Sequence, residues 1–345
     1  MRLLIAGGGT GGHLLPALAV AQAFRADSPD AEVLVVGLKG GPEETLVPAA
    51  GVRLETVRLR GWNRDAPRRN LALPWLLPAA LARGVAIVGR FAPDVVLGVG
   101  GYVMAPGLAG AIAHRVPYVL QVSEASGLAN RIFRAGARAA ALTFAEDGER
   151  FATAKTVLTG YPLRPGFRPR VPRVPPQHLL VMGGSQGARK LNQTVWSALP
   201  RLLERFAQIT HLTGAQGQEE SARYRFPGYR ALPFTGEVAS LMADADLVLC
   251  RSGVGTYAEV TAVGLPSIVV PGPFGGAHQE RTAAQLVAAG AALRIADVEF
   301  GPDRLLTEIE SLTPDRLAAM ARSARALGRP QAAASVARLL LAVAR

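Results

Sequence analysis

Short apolar runs alternate with segments of helix length along most of the chain. The runs are three or four residues long and almost entirely apolar, without the alternation of a strand that has one face in water. Such runs between helices are typical of parallel sheets covered by helices on both faces. The strands predicted in this way are Leu3–Ala6, Val33–Val36, Val95–Leu97, Tyr118–Leu120, Leu179–Met182, Leu247–Leu249 and Ser267–Val270.

One unit, a strand followed by a glycine-rich loop and a helix, occurs twice. The first copy begins at Leu3 and leads into a helix predicted near Pro16–Phe24, and the second begins at Leu179 and leads into a helix near Lys190–Arg205. The sequence therefore predicts two doubly wound α/β domains, each opened by such a loop.

The segment between the two copies is rich in proline and arginine, which predicts a stiff linker rather than a structured element. The predicted organisation is a first domain over 1–161, a linker over 162–177 and a second domain over 178–330. A last helix is predicted at about Gln331–Ala344, after Pro330, and by itself it could pack on either domain.

The composition fits two domains with buried cores. The chain has 345 residues, of which 49 % are apolar and 19 % charged, so disorder is excluded. The one cysteine, Cys250, excludes a disulfide framework and indicates a reducing compartment. The net charge of +12 favours an anionic membrane surface or a polyanionic substrate, whereas the absence of a Lys/Arg-rich arm argues against nucleic acid as a partner.

Two segments have features of membrane or targeting elements. The apolar run that follows Met1 is too short for a signal peptide. Val95–Ala113 has 19 residues without a charge, close to the length of a membrane span, but it contains five glycines and Pro106. A buried strand, a glycine loop and a buried helix in series give the same pattern, and we expect that arrangement, with any membrane contact peripheral.

The first glycine loop has the G-x-G-x-x-G spacing of a dinucleotide site at Gly7, Gly9 and Gly12. No acidic residue ends the second strand, where a nicotinamide site needs one for the ribose, and no Gly-Lys-Ser/Thr follows, which excludes a Walker loop. The loop is predicted to bring a substrate close to the backbone at a helix start, with Thr10 and His13 facing the same space. His13 is then a candidate general base, and the alternative is a histidine that only caps or packs the helix.

Two later loops carry groups that could bind phosphate. Gly183–Arg189 could bind an anion at a helix N-terminus or could be a tight turn. In Cys250–Glu259, Thr256 and the loop amides could meet a diphosphate, and Glu259 could accept hydrogen bonds from ribose hydroxyls. The alternative is an ordinary helix start, with Ser252 or Thr256 as the N-cap and Glu259 as its capping-box partner.

His278 and Gln279 follow another glycine-rich loop and could contact sugar hydroxyls, although a solvated helix start would look the same. No Asp-x-Asp pair is placed to hold a divalent metal against a diphosphate, and no Ser/His/Asp or Cys/His set stands at a recognisable spacing. We therefore predict no metal site, and phosphate charge would be met by backbone amides, helix dipoles and arginines.

These motifs occur in an order that resembles the MurG family of bacterial glycosyltransferases, which add N-acetylglucosamine to the lipid-linked muramyl-pentapeptide of peptidoglycan synthesis. The resemblance covers roughly residues 1–330. The motifs that carry it are Gly8-Gly9-Thr10-Gly11-Gly12-His13, Gly98-Val99-Gly100-Gly101-Tyr102-Val103, Gly183-Gly184-Ser185-Gln186-Gly187-Ala188, Cys250-Arg251-Ser252-Gly253, Glu259, Ala262-Val263-Gly264-Leu265-Pro266 and His278-Gln279.

The resemblance implies a GT-B fold, with two Rossmann-like doubly wound domains facing a cleft and the helix at 331–345 returning to the first domain. It implies an inverting, metal-independent hexosyltransferase without a cofactor, which uses UDP-N-acetylglucosamine and an undecaprenyl-diphosphate-linked acceptor. Such an enzyme serves cell wall biogenesis, cell division and cell shape from the cytoplasmic face of the inner membrane. The alternatives are a GT-B enzyme with another lipid acceptor and a non-catalytic regulator that binds sugar nucleotides.

Carried over residue by residue, the resemblance implies His13 as the catalytic base, with Glu124 as the runner-up. The implied donor-binding residues are Thr10, Gly11, Gly12, Ser123, Arg164, Ser185, Gln186, Arg251, Ser252, Gly253, Val254, Gly255, Thr256, Glu259, His278 and Gln279. The implied acceptor-diphosphate residues are Gly9, Thr10, Gly100, Gly101 and Tyr102.

The sequence departs from the family in three places. The usual His-Glu-Gln-Asn is absent after the fifth strand, where Ser123 and Glu124 both qualify as the replacement of its functional Asn. Tyr161 and Thr282 each stand where an Asn is usual. These departures concern contacts with substrate more than the reaction itself.

An apolar stretch bordered by arginines is the candidate membrane contact. The alternative is a core helix with a solvated arginine face. The residues predicted at the membrane are Leu71, Leu73, Trp75, Leu76, Arg68 and Arg69.

Overall fold

The structure is a computed structural model that describes residues 1–62, 67–123, 127–151, 155–184, 186–233, 235–273 and 278–344, apart from the side chains of residues 67 and 69. The chain forms two compact units. Unit 1 comprises Met1–Pro165 and Gln331–Arg345, and unit 2 comprises Gly166–Pro330.

Unit 1 is built on a sheet of seven parallel strands in the order β3-β2-β1-β4-β5-β6-β7. Its strands are β1 (Arg2–Ala6), β2 (Glu32–Leu38), β3 (Arg53–Val57), β4 (Val95–Gly98), β5 (Tyr118–Val122), β6 (Ala139–Leu142) and β7 (Lys155–Leu158). Its helices are α1 (Gly11–Asp27), α2 (Glu43–Ala49), α3 (Leu73–Phe91), α4 (Ala105–Ala113) and α5 (Leu128–Phe133), with α13 (Ala332–Val343) from the end of the chain.

Both faces of this sheet are covered, and alternate residues of β1 serve the two layers. Leu3 and Ile5 belong to the core that contains residues of α1 and α13. Leu4 and Ala6 belong to the core that contains residues of α3 and α4. This double burial explains why the strand is apolar at every position from Leu3 to Ala6, as predicted from the sequence.

Unit 2 has a second parallel sheet in the order β10-β9-β8-β11-β12-β13. Its strands are β8 (His178–Met182), β9 (Gln208–Leu212), β10 (Tyr229–Leu232), β11 (Leu247–Cys250), β12 (Ser267–Val269) and β13 (Ala292–Arg294). Its helices are α6 (Arg189–Leu203), α7 (Gln218–Ser221), α8 (Val238–Asp244), α9 (Val254–Val263), α10 (His278–Ala288), α11 (Pro302–Glu310) and α12 (Pro314–Leu327).

Each sheet has a switch point, where successive crossovers run to opposite sides of a central strand. In unit 1 it lies between β1 and β4, and in unit 2 between β8 and β11. Open parallel sheets bind ligands at the carboxyl ends of the strands beside such a point. The first glycine loop follows β1, and the loops at 183–188 and 251–253 follow β8 and β11, so all three stand at these places.

All seven predicted strands are present, and the predicted fold class is confirmed. The segment Val95–Ala113 is a strand, a glycine turn and helix α4, as expected. Within the described residues, one helical stretch, Asn70–Phe91, is long and apolar enough to span a membrane by length and composition alone. Its second half is packed into unit 1, since a Cβ added to Gly84 would lie 2.1 Å from the carbonyl oxygen of Pro106 in α4.

The predicted stiff linker over 162–177 contains no helix or strand, and its second part is held against unit 2 by a buried carboxylate. Asp246, immediately before β11, is buried and accepts hydrogen bonds from the backbone N–H groups of Arg173, Gln177 and His178 at 2.9, 3.1 and 3.1 Å. The guanidinium of Arg170 pairs with the same carboxylate at 2.7 Å. Pro-rich composition therefore marks a segment without secondary structure, but this carboxylate fixes the segment to unit 2.

Candidate functional site

The first glycine loop turns sharply at the switch point of unit 1. Gly7, Gly8 and Gly9 have φ of +139°, +140° and +81°, which side chains rarely adopt. Thr10 is the N-cap of α1 in extended conformation, but its side chain makes no cap hydrogen bond. The first N–H groups of the helix are thus not satisfied by their own N-cap side chain.

His13 lies in the first turn of α1 and is oriented by its neighbours. Its Nδ1 is 3.1 Å from the hydroxyl oxygen of Thr10. Its ring also lies against the loop after β4, because a Cβ added to Gly100 would be 3.0 Å from Cδ2 and 3.1 Å from Nε2 of His13. The structure therefore brings together His13, Thr10, Gly100 and Gly101 as predicted neighbours, while their roles remain predictions.

Gly9, which is predicted to contact the acceptor diphosphate, has a protein partner for its N–H group. Its N–H donates to Oε1 of Glu43 at 2.5 Å, so this donor already has an acceptor. Glu43 is fully buried and was missed by the sequence analysis. It stands five residues beyond the end of β2, whereas the acid of a dinucleotide site is expected at the strand end itself.

The positions where the sequence departs from the family have specific contacts in unit 1. Ser123, after β5, has its hydroxyl 3.1 Å from Nε2 of the buried Gln121. The hydroxyl of Tyr161 donates to the carbonyl oxygen of Gly12 at 2.6 Å, one residue before His13. Glu124, the second candidate base, lies outside the described residues, as does Ser185 of the donor list.

In unit 2 the loop after β8 passes very close to the turn after β9. A Cβ added to Gly187 would lie 2.2 Å from the carbonyl oxygen of Thr213, and one added to Gly214 would lie 2.1 Å from the nitrogen of Gly187. Both glycines also have positive φ. The backbone is therefore fixed next to Gln186, whose side chain is exposed at the start of α6.

A buried chain of hydrogen bonds supports this contact. Asn192 donates from Nδ2 to the carbonyl oxygen of Thr213 at 2.8 Å, and its Oδ1 is 3.0 Å from Nε2 of His211. Nδ1 of His211 is 3.0 Å from the hydroxyl of Tyr229, which accepts from Nε1 of Trp196 at 2.8 Å. This series of hydrogen bonds begins at the indole N–H of Trp196 and ends at the carbonyl oxygen of Thr213. The proton of neutral His211 is therefore assigned to Nε2.

Burial keeps these groups uncharged. It lowers the pKa of His211 to about 3 and raises the pKa of Tyr229 to about 12. No sequence motif marks these hydrogen-bonded residues, because they are far apart along the polypeptide.

In the loop after β11, Arg251 is less available to a ligand than predicted. Its Nη1 contacts the carbonyl oxygens of Val270 and Pro271 at 3.0 and 3.3 Å and Oδ1 of Asp297 at 2.6 Å. This nitrogen joins β11, β12 and the turn after β13. The structure therefore shows a fixed cation beside the switch point, and a contact of Arg251 with a diphosphate remains a prediction.

The capping-box alternative for this loop is wrong. Gly253 is the N-cap of α9, and the hydroxyl of Ser252 donates to the carbonyl oxygen of Gln279 at 2.8 Å instead. The side chain of Gln279 accepts from the N–H of Gly272 at 2.8 Å. Residues at the start of α9 and α10 are thus brought together, with Thr256 and Glu259 half-buried in the first two turns of α9.

The predicted donor residues are divided between the units. Thr10, Gly11, Gly12, Ser123 and the half-buried Arg164 belong to unit 1. The remaining members belong to unit 2: Ser185, Gln186, Arg251, Ser252, Gly253, Val254, Gly255, Thr256, Glu259, His278 and Gln279.

The candidate membrane residues whose side chains are described range from half-buried to strongly exposed. Leu71 and Trp75 are 76 % and 81 % exposed, Arg68 is exposed, and Leu73 and Leu76 are half-buried. We name Leu71, Leu73, Trp75 and Leu76 the apolar patch. The side chain of Arg69 lies outside the described residues.

A groove of about 530 Å³ adjoins the apolar patch. Its lining combines three cationic side chains with an apolar edge, and consists of Lys39, Gly40, Glu44, Arg58, Leu59, Arg60, Ala72 and Leu76. The neighbouring Arg83 and Arg90 are instead paired with Glu55.

Glycine-rich loops at the switch point of each unit agree with what comparison with protein families shows. The glycosyltransferase family 28 N-terminal domain matches residues 3–143, and the family 28 C-terminal domain matches residues 178–338. The chain belongs to glycosyltransferase family 28.

Relatives of known name resemble nearly the whole chain. A protein of Desulforudis audaxviator named UDP-N-acetylglucosamine--N-acetylmuramyl-(pentapeptide) pyrophosphoryl-undecaprenol N-acetylglucosamine transferase is 39 % identical, covering 97 % of this chain and 96 % of its own. A protein of Anaeromyxobacter sp. strain K with the same name is 39 % identical, covering 100 % and 94 %. The crystal structure of Acinetobacter baumannii MurG superposes with a TM-score of 0.81 at 27 % identity, covering 99 % of both chains.

Proposed function

We propose that this protein transfers N-acetylglucosamine from UDP-N-acetylglucosamine to the 4-hydroxyl of an undecaprenyl-diphosphate-linked muramyl-pentapeptide, with inversion at the anomeric carbon. The observation that carries the proposal is the 39 % identity over nearly the full length to relatives named for this transfer. The reaction belongs to peptidoglycan synthesis and so serves cell division and cell shape.

Unit 2 supplies the donor side of this proposal. Helices α6 and α9 begin at its switch point, and neither has an acidic residue in its first turn. The partial positive charge of helix N-termini stabilises a departing diphosphate without a bound cation. Thr256 and Glu259 remain our candidates for contacts with the nucleotide.

Unit 1 supplies the base. The acceptor oxygen attacks the anomeric carbon, the bond from that carbon to UDP breaks, and the ring of His13 takes the proton of the hydroxyl. The contacts of His13 with Thr10 and with the Gly100 backbone support this role, since they fix the plane of the ring.

The test is transfer of radiolabel from UDP-N-acetylglucosamine to a muramyl-pentapeptide acceptor with a short lipid, in the presence and absence of EDTA. We expect label in the acceptor at equal rates in both conditions. Transfer only to a different lipid would show that the acceptor is another molecule, and UDP binding without any transfer would indicate a regulator. Loss of transfer with EDTA would contradict the proposal that the protein stabilises the departing UDP without a metal ion.

We also propose that the protein acts as a peripheral protein on the cytoplasmic face of the inner membrane. The support is the apolar patch next to the groove with Lys39, Arg58 and Arg60, which together suit the hydrocarbon boundary and the anionic headgroups of a bilayer. The packed second half of α3 favours contact in the plane of the membrane over a span.

A further inference from the structure

Glu43 is a buried carboxylate directly under the first glycine loop. It is 0 % exposed, and Oε1 accepts from the N–H of Gly9 at 2.5 Å and from the N–H of Leu38 at 3.3 Å. Burying a carboxylate is costly unless it is hydrogen-bonded, so a residue of this kind in a packed interior indicates a specific task.

Three glycines provide the space for this side chain. A Cβ added to Gly8 would lie 2.0 Å from Oε1, one at Gly37 would lie 2.7 Å from Cγ, and one at Gly41 would lie 2.1 Å from Oε2. The three come from the loop after β1, from β2 and from the turn before α2. Part of the glycine content of this region is thus explained by Glu43 rather than by a ligand.

The second oxygen, Oε2, is buried without a hydrogen-bond partner among the residues that the structure describes. The side chain is therefore held through one oxygen, and that oxygen connects the end of β2 with the loop after β1. Because Gly9 immediately precedes Thr10, and Thr10 contacts His13, the carboxylate is linked to the candidate base by a short path of fixed groups.

We propose that Glu43 is a positioning residue for the acceptor side: it fixes Gly9 and thereby sets the positions of Thr10 and His13. The inference rests on the proposed function, because it takes His13 as the base. The acceptor diphosphate then meets the N–H groups at the start of α1 and not the N–H of Gly9, which the carboxylate occupies.

The main experiment compares Glu43→Gln and Glu43→Asp with the wild-type enzyme in the transfer assay. Aspartate is too short to reach Gly9, and glutamine lacks the charge that strengthens the hydrogen bond. We expect kcat/KM for the acceptor to fall about tenfold in Glu43→Gln and about a hundredfold in Glu43→Asp. The stoichiometry of UDP binding, which we assign to unit 2, should stay at the wild-type value.

Asp30→Asn is the charge-matched control, because Asp30 is an exposed acidic residue of unit 1 outside the groove and the glycine loop, and we expect wild-type kinetics from it. Gly41→Ala displaces the carboxylate while leaving its charge, and should give the same loss toward the acceptor. Wild-type acceptor kinetics in a folded Glu43→Asp or Gly41→Ala enzyme would overturn the proposal. A loss of acceptor kinetics that is only proportional to the loss of folded protein, as measured by UDP binding, would also overturn the proposal.

A measurement on the wild-type protein serves if these variants fail to fold. Amide exchange resolved by NMR should show the N–H of Gly9 strongly protected and that of Gly11 not, in the absence of acceptor. Equal exchange at the two amides would overturn the role of Glu43. The proposed function fails separately, by the absence of any transfer in the wild-type enzyme.

Discussion

At the scale of single residues, the position of His13 is set by backbone as much as by side chains. The Gly100 backbone runs along its ring, and the Thr10 hydroxyl is at 3.1 Å from Nδ1. Tyr161 adds a hydrogen bond to the carbonyl of the preceding residue, Gly12. A side chain at Gly100 would therefore displace the ring even though it removes no functional group.

We predict that His13→Ala lowers kcat about a hundredfold or more, because general bases typically contribute factors of this size. Steady-state kinetics with both substrates measures the effect, and UDP binding by calorimetry serves as the control, since it should not change. If only the KM for the acceptor rises while kcat stays the same, His13 binds the acceptor and is not the base.

We predict that the stability of unit 2 falls below pH 6.5. Burial lowers the pKa of His211 to about 3, so between these pH values only the unfolded chain binds the proton, at a cost of about 1.4 kcal/mol per pH unit. Urea unfolding of a Trp62→Phe/Trp75→Phe protein isolates the fluorescence of the buried Trp196. His211→Gln should reduce the slope of the unfolding free energy against pH by the equivalent of one proton, so that the contribution of His178 remains. An unchanged slope would contradict the lowered pKa of His211.

At the scale of elements, helix α3 has two halves with different surroundings. Its last two turns bury Ile87, Val88 and Phe91 in unit 1, whereas Trp75 near its start is 81 % exposed. An exposed apolar surface beside cations is typical of an interaction surface rather than of a core helix. The exposure of Trp75 therefore favours a membrane contact over a core helix as the interpretation of this stretch.

We predict that Trp75→Glu reduces flotation with liposomes that contain anionic lipid, because it places a charge where the ring would enter the interface. Val298→Glu is the matched control, since Val298 is 87 % exposed and lies in unit 2. Flotation that is equal for both variants would show that the apolar patch does not contact lipid.

The segment at 170–178 depends on Asp246. Burial raises the pKa of this carboxyl, but the N–H groups of Arg173, Gln177 and His178 and the charge of Arg173 outweigh burial and hold the pKa below its usual value. The stabilisation is therefore complete above about pH 4 and is lost as the pH falls through the lowered pKa.

We predict that Asp246→Asn costs unit 2 about 2 to 4 kcal/mol at neutral pH, because it weakens several hydrogen bonds to a buried anion. Urea unfolding followed by Trp196 measures the loss. Asp244→Asn, two residues earlier and exposed, should cost little, and equal losses in the two variants would contradict the role of Asp246.

The sequence predicted elements well where burial on both faces makes a strand apolar, as in β1 and β8. It missed β6, which is Ala-Ala-Ala-Leu and has the composition of a helix, and edge strands such as β10 with its exposed Arg230. For the site, local motifs indicated His13 and Thr10. Glu43 and Asn192 were missed, because their partners are backbone groups that only the tertiary structure brings near them.

At the scale of the whole molecule, the last helix determines how unit 1 is completed. Helix α13 packs against α1 and the sheet, and Val336, Ala337 and Leu340 are fully buried in that core. Although these residues follow all of unit 2 in the sequence, they belong to unit 1.

We predict that Leu340→Ala destabilises unit 1 by about 2 to 5 kcal/mol, because it leaves a cavity in that core. Amide exchange by mass spectrometry should show faster exchange in β1 and α1 and no change in β8 and α6. Arg338→Ala, exposed on the same helix, is the control. Faster exchange in both units would contradict an effect confined to unit 1.

Because α13 follows unit 2 in the sequence but belongs to unit 1, the order of synthesis has a consequence for folding. A domain made of one continuous stretch can fold as it leaves the ribosome, usually from the N-terminal side onward. Here the core of the N-terminal sheet stays incomplete until residues 332–343 have emerged, and these residues follow all of unit 2. Unit 2, which is continuous from Gly166 to Pro330, is complete first, so the nascent chain holds an unfinished first half beside a finished second one.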